Sequence, residues 1–165
     1  MALDPPGLLR VLVETDVHFV VVGGIAGALH GSTTMTADLD ILYDRDAANL
    51  DRLAAALTLL HAARRDLPTG VTAPVDARAL RNGTNVLLST NRGDLDCIAE
   101  TPSGSFTYAQ VAPTAVRMQI DRGLVVSVAS LDELIRMKRA TGRPKDRIEV
   151  ETLAALRTVR EDRGR

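Results

Sequence analysis

The sequence predicts an α/β fold: a mixed β-sheet of about five short strands flanked by helices, built as one domain over residues 1–165. Three observations carry this. Up to Ala63, segments with helical apolar spacing alternate with short β-branched runs. Two turn signals, Thr90-Asn91-Arg92-Gly93 and Asp121-Arg122-Gly123, each sit between strand-like runs and predict hairpins. The chain then closes on a pair of helices at 130–160, expected to pack on the sheet.

The elements follow in order. Pro5 and Pro6 can open a helix, and Leu8, Leu9, Leu12 and Val13 recur at helical spacing to about Thr15. His18–Val22 is a continuous apolar run and predicts a buried strand. Gly23-Gly24 breaks it, Ile25–His30 is a short small-residue helix ended by Gly31, and Ser32–Thr36 is a polar link. Asp38–Tyr43 alternates acid with apolar residues, as a half-exposed strand does. Asp46 is placed to cap a helix from Ala47 to about Ala63, with Leu50, Leu53, Leu57 and Leu60 as its buried stripe. Arg64–Asp76 has weak periodicity and reads as irregular, with Arg64-Arg65 on a solvated surface. Thr84–Ser89 and Asp94–Ala99 form the first hairpin. Ser105–Pro113 holds one helical turn, and Ala115–Ile120 with Leu124–Ala129 the second hairpin. Ser130 with Glu133 reads as a capping box for a helix that stops at Gly142. Pro144 starts the last helix, with Ile148, Leu153, Leu156 and Val159 as its apolar positions.

Composition excludes several classes of function. Apolar residues at 45% predict a globular chain, and aromatics at 2% leave few platforms for stacking on single-stranded bases. A net charge of −1 gives no global attraction to nucleic acid. One cysteine, Cys97, excludes an internal disulfide and a cysteine-based zinc site. No apolar run is long enough to span a bilayer and the N-terminus lacks a signal-peptide pattern, so a cytoplasmic location and no membrane partner are expected. The three His residues lack ligand spacing, so any metal site would be all-oxygen, which suits Mg²⁺ or Mn²⁺.

The chemistry concentrates in Val20–Asp44. Asp38 and Asp40 are i and i+2 on a strand and point to one face, where like charges repel unless something positive sits between them. Asp94 and Asp96 repeat the pattern on a later strand. Should that strand lie beside Asp38–Tyr43, three carboxylates could converge on one or two divalent ions. The Gly23-Gly24 turn offers bare backbone N–H groups where phosphate oxygens could sit.

Gly23-Gly24, thirteen residues, then Asp38-Leu39-Asp40-Ile41 resembles the signature of the nucleotidyltransferase superfamily of the DNA polymerase β type. The C-terminal run Ser130-Leu131-Asp132-Glu133-Leu134-Ile135, then Lys138, then Gly142-Arg143-Pro144-Lys145-Asp146, is similar to the closing segment of small bacterial members, including AbiEii-like toxins of toxin–antitoxin systems. The resemblance implies an NTP substrate, Mg²⁺ or Mn²⁺, and a hydroxyl acceptor on a tRNA end or a protein side chain. A cognate antitoxin is the implied partner. Asp38, Asp40 and Asp96 resemble the metal-binding set, with Asp94 the competing third carboxylate. Gly23 and Gly24 match the phosphate-cradling turn, and Thr36 opens the Thr-x-Asp-x-Asp pattern on the nucleotide side. Lys138 resembles the helix lysine that meets the triphosphate, with Arg143, Lys145 and Asp146 near the site. Two positions depart from the pattern: Gly24, where many members have Ser, and Thr34, where many toxin-like relatives have Arg. With Gly24, only backbone donors remain at that turn.

Overall fold

A computed structural model describes residues 2–101 and 106–163. The Lys145 and Arg163 side chains, and the first residue of the expected 105–113 turn, lie outside the described residues.

Helix α1 (Pro5–Glu14) starts where Asp4 accepts the Gly7 N–H, and buries Leu8, Leu9 and Leu12. Strand β1 (Phe19–Val22) is buried throughout. Helix α2 (Gly23–Leu29) follows directly, then strand β2 (Asp38–Tyr43) and helix α3 (Ala47–Leu59). Asp46 caps α3 by accepting the Ala48 N–H, and the Leu50, Leu53, Leu57 and Leu60 stripe is buried. Buried Asn49 ties α3 to the sheet. Its Oδ1 accepts from His18 N–H, and its Nδ2 donates to the carbonyls of His18 and Asp44.

The stretch Arg64–Asp76 is irregular past its first residue, as expected. It opens with a two-residue strand, β3 (Ala63–Arg64), and leads to helix α4 (Ala77–Asn82), whose start is capped by Asp76. Neither has an apolar repeat long enough to be read locally. The α4 end is tied to the core instead: the Tyr43 hydroxyl donates to the Leu80 carbonyl. Strands β4 (Asn85–Thr90) and β5 (Gly93–Ile98) make the first hairpin. Helix α5 (Tyr108–Val111) precedes a 3₁₀ turn and the second hairpin, β6 (Val116–Asp121) and β7 (Leu124–Val128). Helices α6 (Leu131–Thr141) and α7 (Pro144–Arg163) close the fold.

The sheet is mixed and has seven strands among the described residues, in the order β3-β4-β5-β2-β1-β7-β6. The expected number of about five falls short: six of these strands match runs with strand character in the sequence, and the seventh, β3, pairs through only two residues. The pairings β2–β5 and β1–β7 are parallel and the others antiparallel. One core cluster joins α1, α3 and the sheet face that carries Leu39, Ile41, Leu95 and Cys97, all fully buried. Free Cys97 belongs to that core, where burial pushes its thiol well above the ordinary range.

Two readings of the C-terminal pair need correction. Ser130 accepts the Glu133 N–H, but the Glu133 carboxylate turns to Arg136 rather than back to the cap, so only half the expected capping box forms. On α7, Leu153 is buried, whereas Ile148 is 72% and Val159 48% exposed. Asp146 and Glu149 are buried in their place. Hydrophobicity alone misses a helix face whose first inward turns are charged. Among the described residues no helix is long and apolar enough to cross a membrane.

Candidate active site

The parallel register of β2 and β5 sets Asp38 opposite Asp94 and Asp40 opposite Asp96. Residues i and i+2 of a strand share a face, so four carboxylates stand there as two rows of two. The β1–β2 register places Val22 beside Asp40, so the Gly23-Gly24 turn begins at the end of that row. The sheet geometry, not local folding, assembles this grid from two segments far apart in sequence.

A cleft of about 640 Å³ opens over it. Gly23, Gly24, Thr36, Asp38, Asp40, Asp96, Lys138 and Arg143 all line it. Asp94 is at the margin: its side chain is 42% exposed against 13% for Asp96, and it is not in the lining. Asp146 lies beneath the cleft wall, 1% exposed.

Gly23 has φ +65°, and a Cβ there would fall 2.0 Å from Asp40 Oδ2, so the turn can meet the carboxylate only as glycine. A Cβ at Gly24 would fall 2.5 Å from Thr36 Cβ and 2.7 Å from its Oγ1. The Thr36 hydroxyl donates to Asp38 Oδ1 at 3.0 Å. Where a serine at position 24 would supply a hydroxyl, the threonine side chain already stands. At the turn itself the donors are backbone N–H groups, and the neighbouring Thr36 hydroxyl is given to Asp38.

Helices α6 and α7 supply the opposite wall. Lys138 Nζ donates to Glu149 Oε2 at 2.6 Å and lies 3.6 Å from Asp146 Oδ1. Asp146 Oδ2 accepts from Thr141 Oγ1 at 2.6 Å and from Arg143 Nε at 2.8 Å. Burial works against the Asp146 charge, but these bonds and the Arg143 and Lys138 charges outweigh it and hold its pKa below the ordinary value. Asp146 thus organises the α6–α7 junction. Glu149 was not singled out in the sequence, although its position one helical turn beyond Asp146 gives it the same inward face.

Arg65 is the larger omission. It follows β3, and its N–H donates to the Leu87 carbonyl at 3.0 Å. That places it in the row of Leu87, Asp96 and Asp40. Its guanidinium is hydrogen-bonded to Asp96 and lies 3.6 Å from both Asp38 Oδ2 and Asp94 Oδ2. Both arginines keep contact with solvent, Arg65 at 31% side-chain exposure and Arg64 at 20%, but neither is unpaired: Arg64 bonds Asp66 and Arg65 reaches the grid. The positive charge that the two Asp-x-Asp patterns call for is supplied here by the chain itself.

One guanidinium does not neutralise the grid. The Asp40 carboxyl is pushed up to about 7, first by burial and then by the charges of Asp38 and Asp96, against weaker relief from Lys138 and Arg65. Asp96 is also raised by burial and by Asp38 and Asp94, with Arg65 opposing. This is an oxygen donor set short of positive charge, and its chemistry fits a hard divalent cation. Among the described residues, no three acidic, His or Cys groups are gathered as a ready-made ion cage.

No family model matches the sequence, and no curated protein is significantly similar to it. Solved structures do match. The antibiotic-resistance factor ANT(2″)-Ia, in a complex with adenylyl-2″-tobramycin, aligns with TM-score 0.53 at 17% identity over 96% of this chain and 95% of its own. A candidate nucleotidyltransferase from Thermotoga maritima aligns with TM-score 0.53 at 17% identity over 98% and 97%. An antigenic nucleotidyltransferase-like protein from Paracoccidioides brasiliensis aligns with TM-score 0.52 at 18% identity over 94% and 78%. The chain shares the fold of these proteins across nearly its whole length.

Proposed function

We propose that the chain is a metal-dependent nucleotidyltransferase that moves a nucleoside monophosphate from an NTP to a hydroxyl acceptor. The observation that carries this is the carboxylate grid of β2 and β5, set against the Gly23-Gly24 turn and facing Lys138 across one cleft. The shared fold supports it.

Asp38, Asp40 and Asp96 would hold Mg²⁺ or Mn²⁺, which when bound supplies charge stabilisation at the α-phosphate and on the leaving pyrophosphate. The chain's own groups do the rest. The Gly23-Gly24 backbone and the Thr36 hydroxyl flank the grid on the side where phosphate oxygens would lie. Lys138 and Arg143 face them as cations, and Lys138 must share itself with Glu149. The acceptor oxygen bonds to the α-phosphorus, the α–β bridging P–O bond breaks, pyrophosphate leaves, and the hydroxyl proton passes to solvent. The whole chain, 1–165, would act as one transferase domain, with Lys145 beside the site as well.

The biological role we propose is the toxin of a bacterial toxin–antitoxin pair, acting in the cytoplasm on a tRNA end or a protein side chain, with a cognate antitoxin as partner. Support is the closing segment from Ser130 to Asp146 described above. An aminoglycoside hydroxyl is the competing acceptor, in view of the ANT(2″)-Ia complex.

Transfer of label from α-³²P NTP to tRNA, protein or aminoglycoside tests the reading. The double variant Asp38→Ala/Asp40→Ala should keep the fold and abolish labelling; persistent labelling would refute it. A second reading is a nucleotide- or partner-binding module on the same fold. The Arg65 contacts with the grid and the Glu149 hold on Lys138 favour it. Calorimetry showing NTP binding without label transfer would select it.

A further inference from the structure

Arg65 sits where the proposed ion would have to act. Its guanidinium contacts Asp38, Asp94 and Asp96, on both grid strands, and among the described residues no other cation pairs with these three. Lys138, on the other wall, is committed to Glu149 and Asp146.

The way Arg65 is held suits exchange rather than a fixed clamp. Only the Asp96 contact is a hydrogen bond; Asp38 and Asp94 stand off at 3.6 Å. The side chain keeps 31% exposure, so water can take over its donors as it leaves. Its backbone directly follows the outermost strand of the sheet, a strand of two residues, and is held to the Leu87 carbonyl by its own N–H. A divalent ion brings twice the charge of a guanidinium to the same oxygens, and both cannot lie within the grid at once.

We propose that Arg65 is the resident counter-cation of the carboxylate grid, and that a divalent ion binds only by displacing it, so that Arg65 sets the site's ion affinity. The inference rests on the metal-dependent reading above. The apparent ion affinity is then the intrinsic affinity multiplied by the fraction of molecules in which Arg65 has left the grid. Arg65 is a positioning residue in this scheme, acting through Asp38 and Asp96.

The test is Mn²⁺ binding to the full, metal-stripped chain by calorimetry, with thermal unfolding in parallel. Arg65→Gln should lower the Mn²⁺ dissociation constant roughly tenfold or more, the change expected where the displaced state is a minor one. It should also melt lower than wild type in chelator and gain more from added Mn²⁺. Arg65→Lys, a compact cation without the planar fork, should fall between, and it carries the same test if Arg65→Gln does not fold. Guanidinium ion added to Arg65→Gln should weaken its Mn²⁺ binding. Unchanged or weaker Mn²⁺ binding by both variants, with binding still lost in Asp38→Asn/Asp40→Asn, would overturn this proposal and leave the metal site standing. Absence of Mn²⁺ binding in wild type and both variants would overturn the functional reading and this proposal together.

Discussion

The two walls of the cleft handle buried charge in opposite ways. On the sheet wall, one guanidinium contacts three of the four carboxylates, and the fourth, Asp40, is pushed up to about 7. On the helix wall, Lys138, Arg143 and Thr141 surround Asp146, whose pKa is held down, while Lys138 also bonds Glu149. One wall lacks positive charge; the other is nearly neutral within itself. A binding site needs at least one face whose interactions are incomplete without the ligand. By that criterion the sheet wall is the candidate receptor, and the helix wall is first a structural joint between α6 and α7.

The largest effect on stability should come from breaking the joint. Lys138→Ala leaves Asp146 and Glu149, 1% and 7% exposed, without their shared cation. Removing one partner of a buried pair costs about 3–5 kcal/mol, so thermal unfolding should drop by roughly 6–20 °C for a chain of this size. Adding Glu149→Gln should recover part of the loss. A Lys138→Ala protein that melts like wild type but binds NTP poorly would reverse the assignment and make the helix wall a receptor too.

On the sheet wall, the matching substitution should have the opposite sign. Asp40 has a folded pKa of about 7 against 3.8 for the free group. The fold therefore favours the protonated form. The stability it contributes is complete below about pH 3.8 and is lost as pH rises through about 7. Asp40→Asn mimics the protonated carboxyl. In chelator its advantage over wild type should be absent near pH 3.8, grow between pH 4 and 7, and level off above, reaching about 4 kcal/mol. Unfolding curves across that range decide it, and a variant less stable than wild type at pH 8 would show that the sheet wall is satisfied after all.

The contrast between walls also marks what the sequence could disclose. The two acidic pairs were legible because strand periodicity of two fixes the face of Asp38 and Asp40, and of Asp94 and Asp96; that the pairs meet as a grid depends on the β2–β5 pairing. The turn at Gly23-Gly24 was legible because a doubled glycine after an apolar run has few other uses. Arg65 was hidden because its role depends on the pairing of a two-residue strand, which sends no periodic signal. Glu149 and the exposure of Ile148 were hidden together: α7 turns charge inward at its start, against the hydrophobic pattern that helix reading relies on. The grid could be read as a site from chemistry, but its counter-ion could be found only from topology.

The smallest effect concerns the edge of the sheet wall, where Gly24 and Thr36 divide a space between them. Gly24→Ser would press its Cβ to 2.5 Å from Thr36 Cβ, so one of the two must shift. Overpacking of this kind costs about 1–3 kcal/mol. Thr36→Gly removes the obstructing atoms and also the hydroxyl that donates to Asp38. The double variant Gly24→Ser/Thr36→Gly restores one hydroxyl to the same corner. Its loss of unfolding free energy should therefore fall short of the sum of the two single losses by about 1 kcal/mol, measured as a double-mutant cycle. Additive losses would mean that the two side chains do not compete, and Gly24 would again be a missing donor rather than a position already served by Thr36.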